Sequence, residues 1–175
     1  YDKAFAVFRH AVALEGGRGP LLTDLGLELL RAGLTDEAEA AFAGRLRERP
    51  ADGPALAAMA RLVRARQGDA AALSYLRQAP ACTWPGLQVL TADLLHEAGQ
   101  SSEAAAICKQ VLSKAPAHGP SLWLLGRCLL TMDQPDDAAA AFVAAAKAAP
   151  RDTVPALAAV DGLAQAGCAR LALAL

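Results

Sequence analysis

A small residue followed four positions later by a larger apolar one recurs along the chain at a regular interval. The interval is 34 residues from Ala4 to Ala38 and 66 residues from Ala38 to Ala104. Repetition at this period is typical of helical arrays, in which each unit must stack on its neighbours to bury its apolar face. Because 66 is two short of two full periods, we expect one shortened unit. The pairs are Ala4 with Phe8, Ala38 with Phe42, Ala104 with Cys108 and Ala138 with Phe142.

The composition favours helices within each unit. Hydrophobic residues, mostly Ala and Leu, make up 54% of the chain, whereas aromatic residues make up only 5%. Ala and Leu are strong helix formers, and β-branched residues, which favour strands, are few. Large residues between Leu122 and Leu130 recur three and four positions apart, which makes one apolar stripe along a helix. The chain is therefore predicted to be all-α, with a thin core between closely packed helices.

Glycine and proline mark the expected ends of these helices. Gly33 and Gly99 stand where first helices should end, and Pro50, Pro116 and Pro150 follow second helices. We predict N-caps at Thr35, Asp69 and Ser101. The predicted helices cover 2–14, 20–31, 36–48, 54–66, 69–78, 86–97, 102–114, 120–131, 135–148 and 154–165.

The residues at these places resemble the tetratricopeptide repeat family. The copy that begins at Gly119 carries Leu125 and Gly126 in its first helix, Ala138 and Phe142 in its second. The same copy also has Leu122, Leu129, Ala145 and a closing Pro150. The resemblance implies a right-handed superhelical solenoid of antiparallel helix pairs. It also implies a chain that binds protein rather than one that catalyses a reaction.

We expect a single repeat domain over 1–175. A chain that begins at Tyr1, inside a predicted helix, is expected to be a piece of a longer protein. Trp84 follows the shortened helix, and we expect it to fill the space left by the missing residues. The predicted copies are 19–52, 53–84, 85–118 and 119–152, with partial copies at 1–18 and 153–175.

Charge and motif content argue against several classes of function. Lys plus Arg total 17 and Asp plus Glu total 18, so no basic excess favours nucleic acid. No apolar run approaches the roughly 20 residues of a membrane-spanning helix. The sequence suggests no metal site, cofactor or catalytic group, since the cysteines and histidines lack ligand spacing. Without a disulfide pattern, a reducing compartment such as the cytoplasm is favoured. The Ala, Gly and Arg usage suggests a bacterial source.

A partner is expected to contact the first helices, which line the concave face of such an array. Successive first helices carry Leu27, Arg61, Asp93, Arg127 and Asp161 at equivalent positions. Their alternating charges fit two interpretations, an internal ion-pair ladder or a set of groups that bind an extended peptide. Trp123 likewise fits an anchor for a partner or a side chain packed between repeats. The candidate binding residues are Leu27, Arg31, Arg61, Arg64, Asp93, His96, Trp123, Arg127 and Asp161, and the wider inward set includes Thr23, Leu30, Glu97 and Thr131.

The function predicted from the sequence is a protein–protein interaction scaffold that holds a partner protein or peptide in the concave groove. Two alternatives stay open. The chain could be the substrate-presenting arm of a larger enzyme, such as a glycosyl- or sulfo-transferase. It could also be a self-assembly module that stacks through its open apolar ends, of which Leu171, Leu173 and Leu175 are the clearest part.

Overall fold

The computed structural model describes residues 21–148 together with positions 161, 162, 164 and 167. Residues 21–148 form eight α-helices and no strand, and positions 161, 162 and 164 are also helical. The eight helices are α1 (Leu21–Arg31), α2 (Thr35–Glu48), α3 (Gly53–Gln67), α4 (Asp69–Gln78), α5 (Pro85–Glu97), α6 (Ser101–Lys114), α7 (Gly119–Thr131) and α8 (Pro135–Ala148). Each agrees with a predicted helix to within a residue at either end. The predicted helix at 2–14, the partial copy at 1–18 and the terminal leucines lie outside the described residues.

The chain divides into two compact units, Tyr1–Leu87 and Gln88–Leu175. In the first unit α1 packs on α2, α2 on α3 and α3 on α4. In the second unit α6 packs on α7 and α7 on α8. This succession of helix pairs is the predicted all-α solenoid. The repeat boundaries assigned from the sequence stay a prediction.

A phenylalanine buried against a glycine marks the helix crossing in both units. Phe42 is fully buried, and a Cβ atom added to Gly26 would lie 2.5 Å from its ring. Phe142 is also fully buried, and added Cβ atoms at Gly126 and Gly162 would lie 2.7 and 2.5 Å from its ring. Any side chain at these glycines would displace the ring, so the periodic glycines serve close helix packing.

The shortened unit is located at α4. This helix has 10 residues, whereas α2 has 14. Trp84 lies beyond its end and packs on the backbone at both Gly53 and Gly86, where an added Cβ would come within 2.5 and 2.4 Å of the indole side chain. Trp84 therefore connects the starts of α3 and α5 while keeping 39% of its surface exposed.

The predicted N-caps at Thr35, Asp69 and Ser101 are wrong, because each is the first residue of its helix. The capping positions are Leu34, Gly68 and Gln100, and none of them makes a side-chain capping bond. The backbone explains the α1–α2 and α5–α6 turns. Leu34 N–H donates to Leu29 O at 2.9 Å across Gly33, whose φ is 78°, and the same closure occurs at Gly99. These reverse turns are so short that the next helix starts one residue earlier than expected.

Asp52 is an N-cap that the sequence analysis missed. Its Oδ1 accepts a hydrogen bond from Ala55 N–H at 3.1 Å, at the start of α3. The Nε atom of Arg45 donates to Asp52 Oδ2 at 2.8 Å, and Arg45 itself is buried with 5% exposure. This buried ion pair joins the end of α2 to the start of α3.

Candidate partner-binding surface

Helices α5 and α7 bring together five polar and aromatic side chains in the second unit. Asp93, His96 and Glu97 lie three and four positions apart on α5, so they share one helix face. Trp123 and Arg127 are four apart on α7 and share a face for the same reason. We call Asp93, His96, Glu97, Trp123 and Arg127 the Arg127 cluster.

Arg127 is the centre of this cluster. Its Nη2 atom donates to Glu97 Oε1 at 2.8 Å, and its Nη1 atom lies 3.4 Å from Asp93 Oδ1. The guanidinium carbon lies 5.0 Å from the centroid of the Trp123 ring, within the range of a cation–π contact. Two carboxylates and one aromatic ring therefore fix the orientation of a single guanidinium group.

The cluster is partly open to solvent. The side chains of Arg127 and Asp93 are 30% and 27% exposed, and Glu97 is 39% exposed. Trp123 and His96 are half-buried. A partner could therefore reach both the charged groups and the indole.

His96 extends the cluster toward the start of α6. Its Nδ1 atom lies 3.0 Å from Ser101 Oγ. Burial lowers the pKa of the His96 imidazole, and the positive charge of Arg127 lowers it further. The imidazole is therefore neutral near pH 7, and the hydrogen bond to Ser101 positions it without adding charge.

The first-unit candidates do not form a comparable group. Leu27 is half-buried and packs on the hydrophobic core of the unit. Arg31 is exposed and paired with Glu28 on its own helix. The Nε atom of Arg64 lies 2.5 Å from Asp69 Oδ1, which ties the end of α3 to the start of α4.

Two remaining candidates are exposed, and one inward prediction is wrong. Arg61 in the first unit and Asp161 in the second unit are both exposed. Thr23, which the sequence analysis placed in the wider inward set, is buried at 7% exposure.

The His118–Ser121 pair lacks the solvent access, and the Cys108 and Cys128 thiols lack the ionisation, that a nucleophile needs. His118 Nδ1 lies 2.8 Å from Ser121 Oγ, but Ser121 is completely buried. Burial raises the pKa of the Cys108 and Cys128 thiols to about 12 and about 11, so both stay protonated at neutral pH. Among the described residues no group of three His, Cys, Asp or Glu side chains could hold a metal ion. The same part of the chain contains no helix long and apolar enough to cross a membrane.

Glu97 belongs to the Arg127 cluster although it was not among the candidate binding residues. It belonged to the wider inward set, and its spacing of four from Asp93 was the available signal. What the spacing could not show is that one guanidinium on another helix would contact both carboxylates.

The segment 95–161, which includes most of this surface, matches the family model for the tetratricopeptide repeat. Over this segment the chain is similar to the tetratricopeptide repeat family, and solved tetratricopeptide repeat proteins share its fold. Repeats of this family are generally non-catalytic scaffolds for protein–protein interaction. Comparison with curated proteins gives no significant match.

Solved structures share the fold of this chain at low sequence identity. PilW, a type IV pilus biogenesis factor, matches with a TM-score of 0.75 and 18% identity over 99% of this chain and 82% of its own. TTC0263 of Thermus thermophilus matches with a TM-score of 0.67 and 23% identity over 94% of this chain and 91% of its own. YrrB, described as having an unusual peptide-binding site, matches with a TM-score of 0.64 and 15% identity over 95% of this chain and 87% of its own.

Proposed function

We propose that this protein binds a partner protein or an extended peptide, with the Arg127 cluster as the contact surface of its second unit. The observation that carries the proposal is the guanidinium of Arg127, held over the Trp123 ring at 5.0 Å by two carboxylates. Tryptophan and arginine are enriched among the residues that dominate binding energy at protein interfaces.

The ion pairs of the Arg127 cluster contribute little to the stability of the fold, which suits a binding surface. Ion pairs between side chains that are 27% to 39% exposed contribute only about 0–1 kcal/mol each to folding. A partner can therefore exchange its own groups for these contacts at little cost. The side chains are already oriented, so little conformational entropy is lost on binding.

The remaining candidates extend the proposed surface within each unit. In the first unit we assign Leu27, Arg31, Arg61 and Arg64 as additional contacts, with Leu27 supplying the apolar part. Asp161 is assigned in the same way in the second unit. The peptide-binding site in the description of YrrB, which shares this fold, supports a peptide as one kind of partner.

A selected peptide tests the proposal. A random peptide library is screened against the chain, and the affinity of the best peptide is then measured by isothermal titration calorimetry. Trp123→Ala and Arg127→Gln should each weaken the affinity for that peptide at least tenfold, which corresponds to about 1.4 kcal/mol of binding free energy. The affinity of the same peptide for Arg61→Gln shows whether the first unit takes part in binding.

Arg66 offers a matched control in the first unit. Its guanidinium also bridges two carboxylates, with Nη2 at 2.9 Å from Asp36 Oδ1 and Nη1 at 2.5 Å from Glu39 Oε2. Arg66→Gln should leave the affinity within twofold. If Arg127→Gln and Trp123→Ala behave like Arg66→Gln while circular dichroism shows intact helices, the assignment of the surface is wrong.

A further inference from the structure

A cleft opens where α4 ends early. Ala79 follows the helix in an extended conformation, with φ −70° and ψ 151°, and Pro80 then prevents another helical turn. A cavity of about 290 Å³ lies at this place in the first unit. Its lining residues, which we call the α4 cleft, are Leu46, Pro50, Leu56, Tyr75, Gln78, Ala79 and Pro80.

The walls of the α4 cleft are mostly hydrocarbon. Leu46 near the end of α2 and Leu56 in α3 supply aliphatic surface, and Pro50 and Pro80 add two apolar rings to the lining. Burial raises the pKa of Tyr75, so its phenol stays neutral. The volume lies close to the lower limit of small-ligand pockets, which run from about 300 to 1,000 Å³, and is large enough for an inserted apolar side chain.

A second, more polar cavity adjoins the cleft. Its volume is about 460 Å³, and it is lined by Arg49, Pro50, Ala51 and Asp52, so Pro50 belongs to both. The Asp52 carboxylate is already bound by Arg45 Nε and by the Ala55 N–H group. Arg49 is exposed, and among the described residues its guanidinium has no ion-pair partner. The cavity therefore presents a positive charge beside an apolar cleft.

We propose that the α4 cleft and Arg49 together form a second peptide-binding site, for an acidic segment of a partner protein. One apolar side chain of that segment enters the cleft, and an adjacent carboxylate pairs with the Arg49 guanidinium. The argument is one of charge and polarity. The cavity lined by Arg49 shares Pro50 with an apolar cleft that has room for a side chain, and the Arg49 guanidinium has no ion-pair partner among the described residues. This site lies wholly in the first unit and uses none of the residues of the Arg127 cluster.

The probe is a short peptide, Gly-Glu-Leu-Glu-Gly, acetylated and amidated so that its side chains supply all of its charge. Binding to the ¹⁵N-labelled chain is followed by chemical-shift titration into the millimolar range. Two comparison peptides replace Glu by Lys or Leu by Ala. Each should bind at least fivefold more weakly than the probe, because each loses one of the two contacts.

Substitutions in the protein separate this site from general charge attraction. Arg49→Glu reverses the charge, and Ala79→Phe fills the cleft at an extended position that accepts any L residue. Both substitutions should weaken binding of the probe peptide at least tenfold. Arg47→Glu is the matched control, since Arg47 is exposed near the same helix end but lines neither cavity.

The outcomes decide the proposal in either direction. The proposal is supported if Arg49→Glu and Ala79→Phe lose affinity for the probe peptide while Arg47→Glu binds it within twofold of the wild type. If Arg47→Glu loses as much affinity for the probe as Arg49→Glu does, the probe is attracted by the basic surface alone, and the proposal is overturned. No shift of cleft resonances at millimolar probe, or no discrimination between the three peptides, overturns it as well.

Discussion

In the first unit a buried ion pair joins the end of α2 to the start of α3, whereas in the second unit the turn between α6 and α7 ends in a histidine that pairs with a serine in the first turn of α7. The equivalent positions are 66 residues apart, the same interval that separates Ala38 from Ala104. In the first unit they hold Arg45, Asp52 and Ala55; in the second they hold Val111, His118 and Ser121.

The chemistry at these junctions differs while the burial is the same. Arg45 and Val111 are 5% and 2% exposed, and Ala55 and Ser121 are both completely buried. In the first unit the N–H group of the buried Ala55 donates to the Asp52 carboxylate, and Arg45 neutralises the charge of that carboxylate. In the second unit the buried Ser121 hydroxyl pairs with His118 Nδ1 at 2.8 Å. This pair carries no carboxylate, so the position equivalent to Arg45 is occupied by the apolar Val111. Buried polar groups must be paired, so residues at such a junction depend on one another.

Arg45→Val should give the largest effect. It removes the counter-charge from an Asp52 side chain that is only 12% exposed. Breaking a buried pair by removing one partner costs about 3 kcal/mol or more of the free energy of unfolding. Urea unfolding followed by far-ultraviolet circular dichroism measures the loss, and Arg66→Gln, at an exposed ion pair, should leave the urea midpoint close to that of the wild type.

Adding Asp52→His and Ala55→Ser to Arg45→Val transfers the second-unit junction to the first. This triple variant should recover at least half of the stability that the single variant loses. A triple variant no more stable than Arg45→Val would show that the two junctions are not interchangeable.

His118→Ala should have a smaller effect in the second unit. It leaves the buried hydroxyl of Ser121 without its partner, at a cost of about 1–2 kcal/mol. Adding Ser121→Ala removes the stranded hydroxyl and should restore most of the loss in the same urea assay. If the double variant is as unstable as His118→Ala, the imidazole stabilises the junction by packing and not by its hydrogen bond.

The smallest expected effect is a pH dependence confined to the second unit. The folded-state pKa of His96 is lowered by burial and by Arg127, so the unfolded state binds a proton more readily. Stability should therefore be complete above the ordinary histidine value of about 6.5 and decrease as the pH falls below it. Urea midpoints between pH 5 and 8 measure the slope, and His96→Gln should reduce it. A slope of the opposite sign would contradict the role given to burial.

Much of this fold could be predicted because its signals are local. The helix bounds follow from apolar spacing within each helix and from Gly33 and Gly99, whose backbone reverses the chain. The shortening of α4 was visible as a 66-residue interval. The N-caps failed because a turn closed by backbone hydrogen bonds leaves no room for the side-chain cap that Thr35 and Ser101 suggested.

The candidate site was predictable only in part. Asp93 and Arg127 were singled out by their repeat position, and the structure places their charged atoms 3.4 Å apart. The contact of Arg127 with Glu97 and its place over Trp123 depend on how α5 and α7 cross, which no single helix reveals. Arg45 and Asp52 were missed for a similar reason, since their pairing depends on the path of the α2–α3 turn.

The amino-acid sequence alone determined that this protein would be a row of helix pairs with one short member. That follows because helix formation and helix ends depend on neighbours within a turn or two along the chain. Only the tertiary structure decided which charges meet, where the indole of Trp84 rests and that a cleft opens beyond α4. These features arise from side chains up to 34 residues apart, and their distances are set by the packing of whole helices.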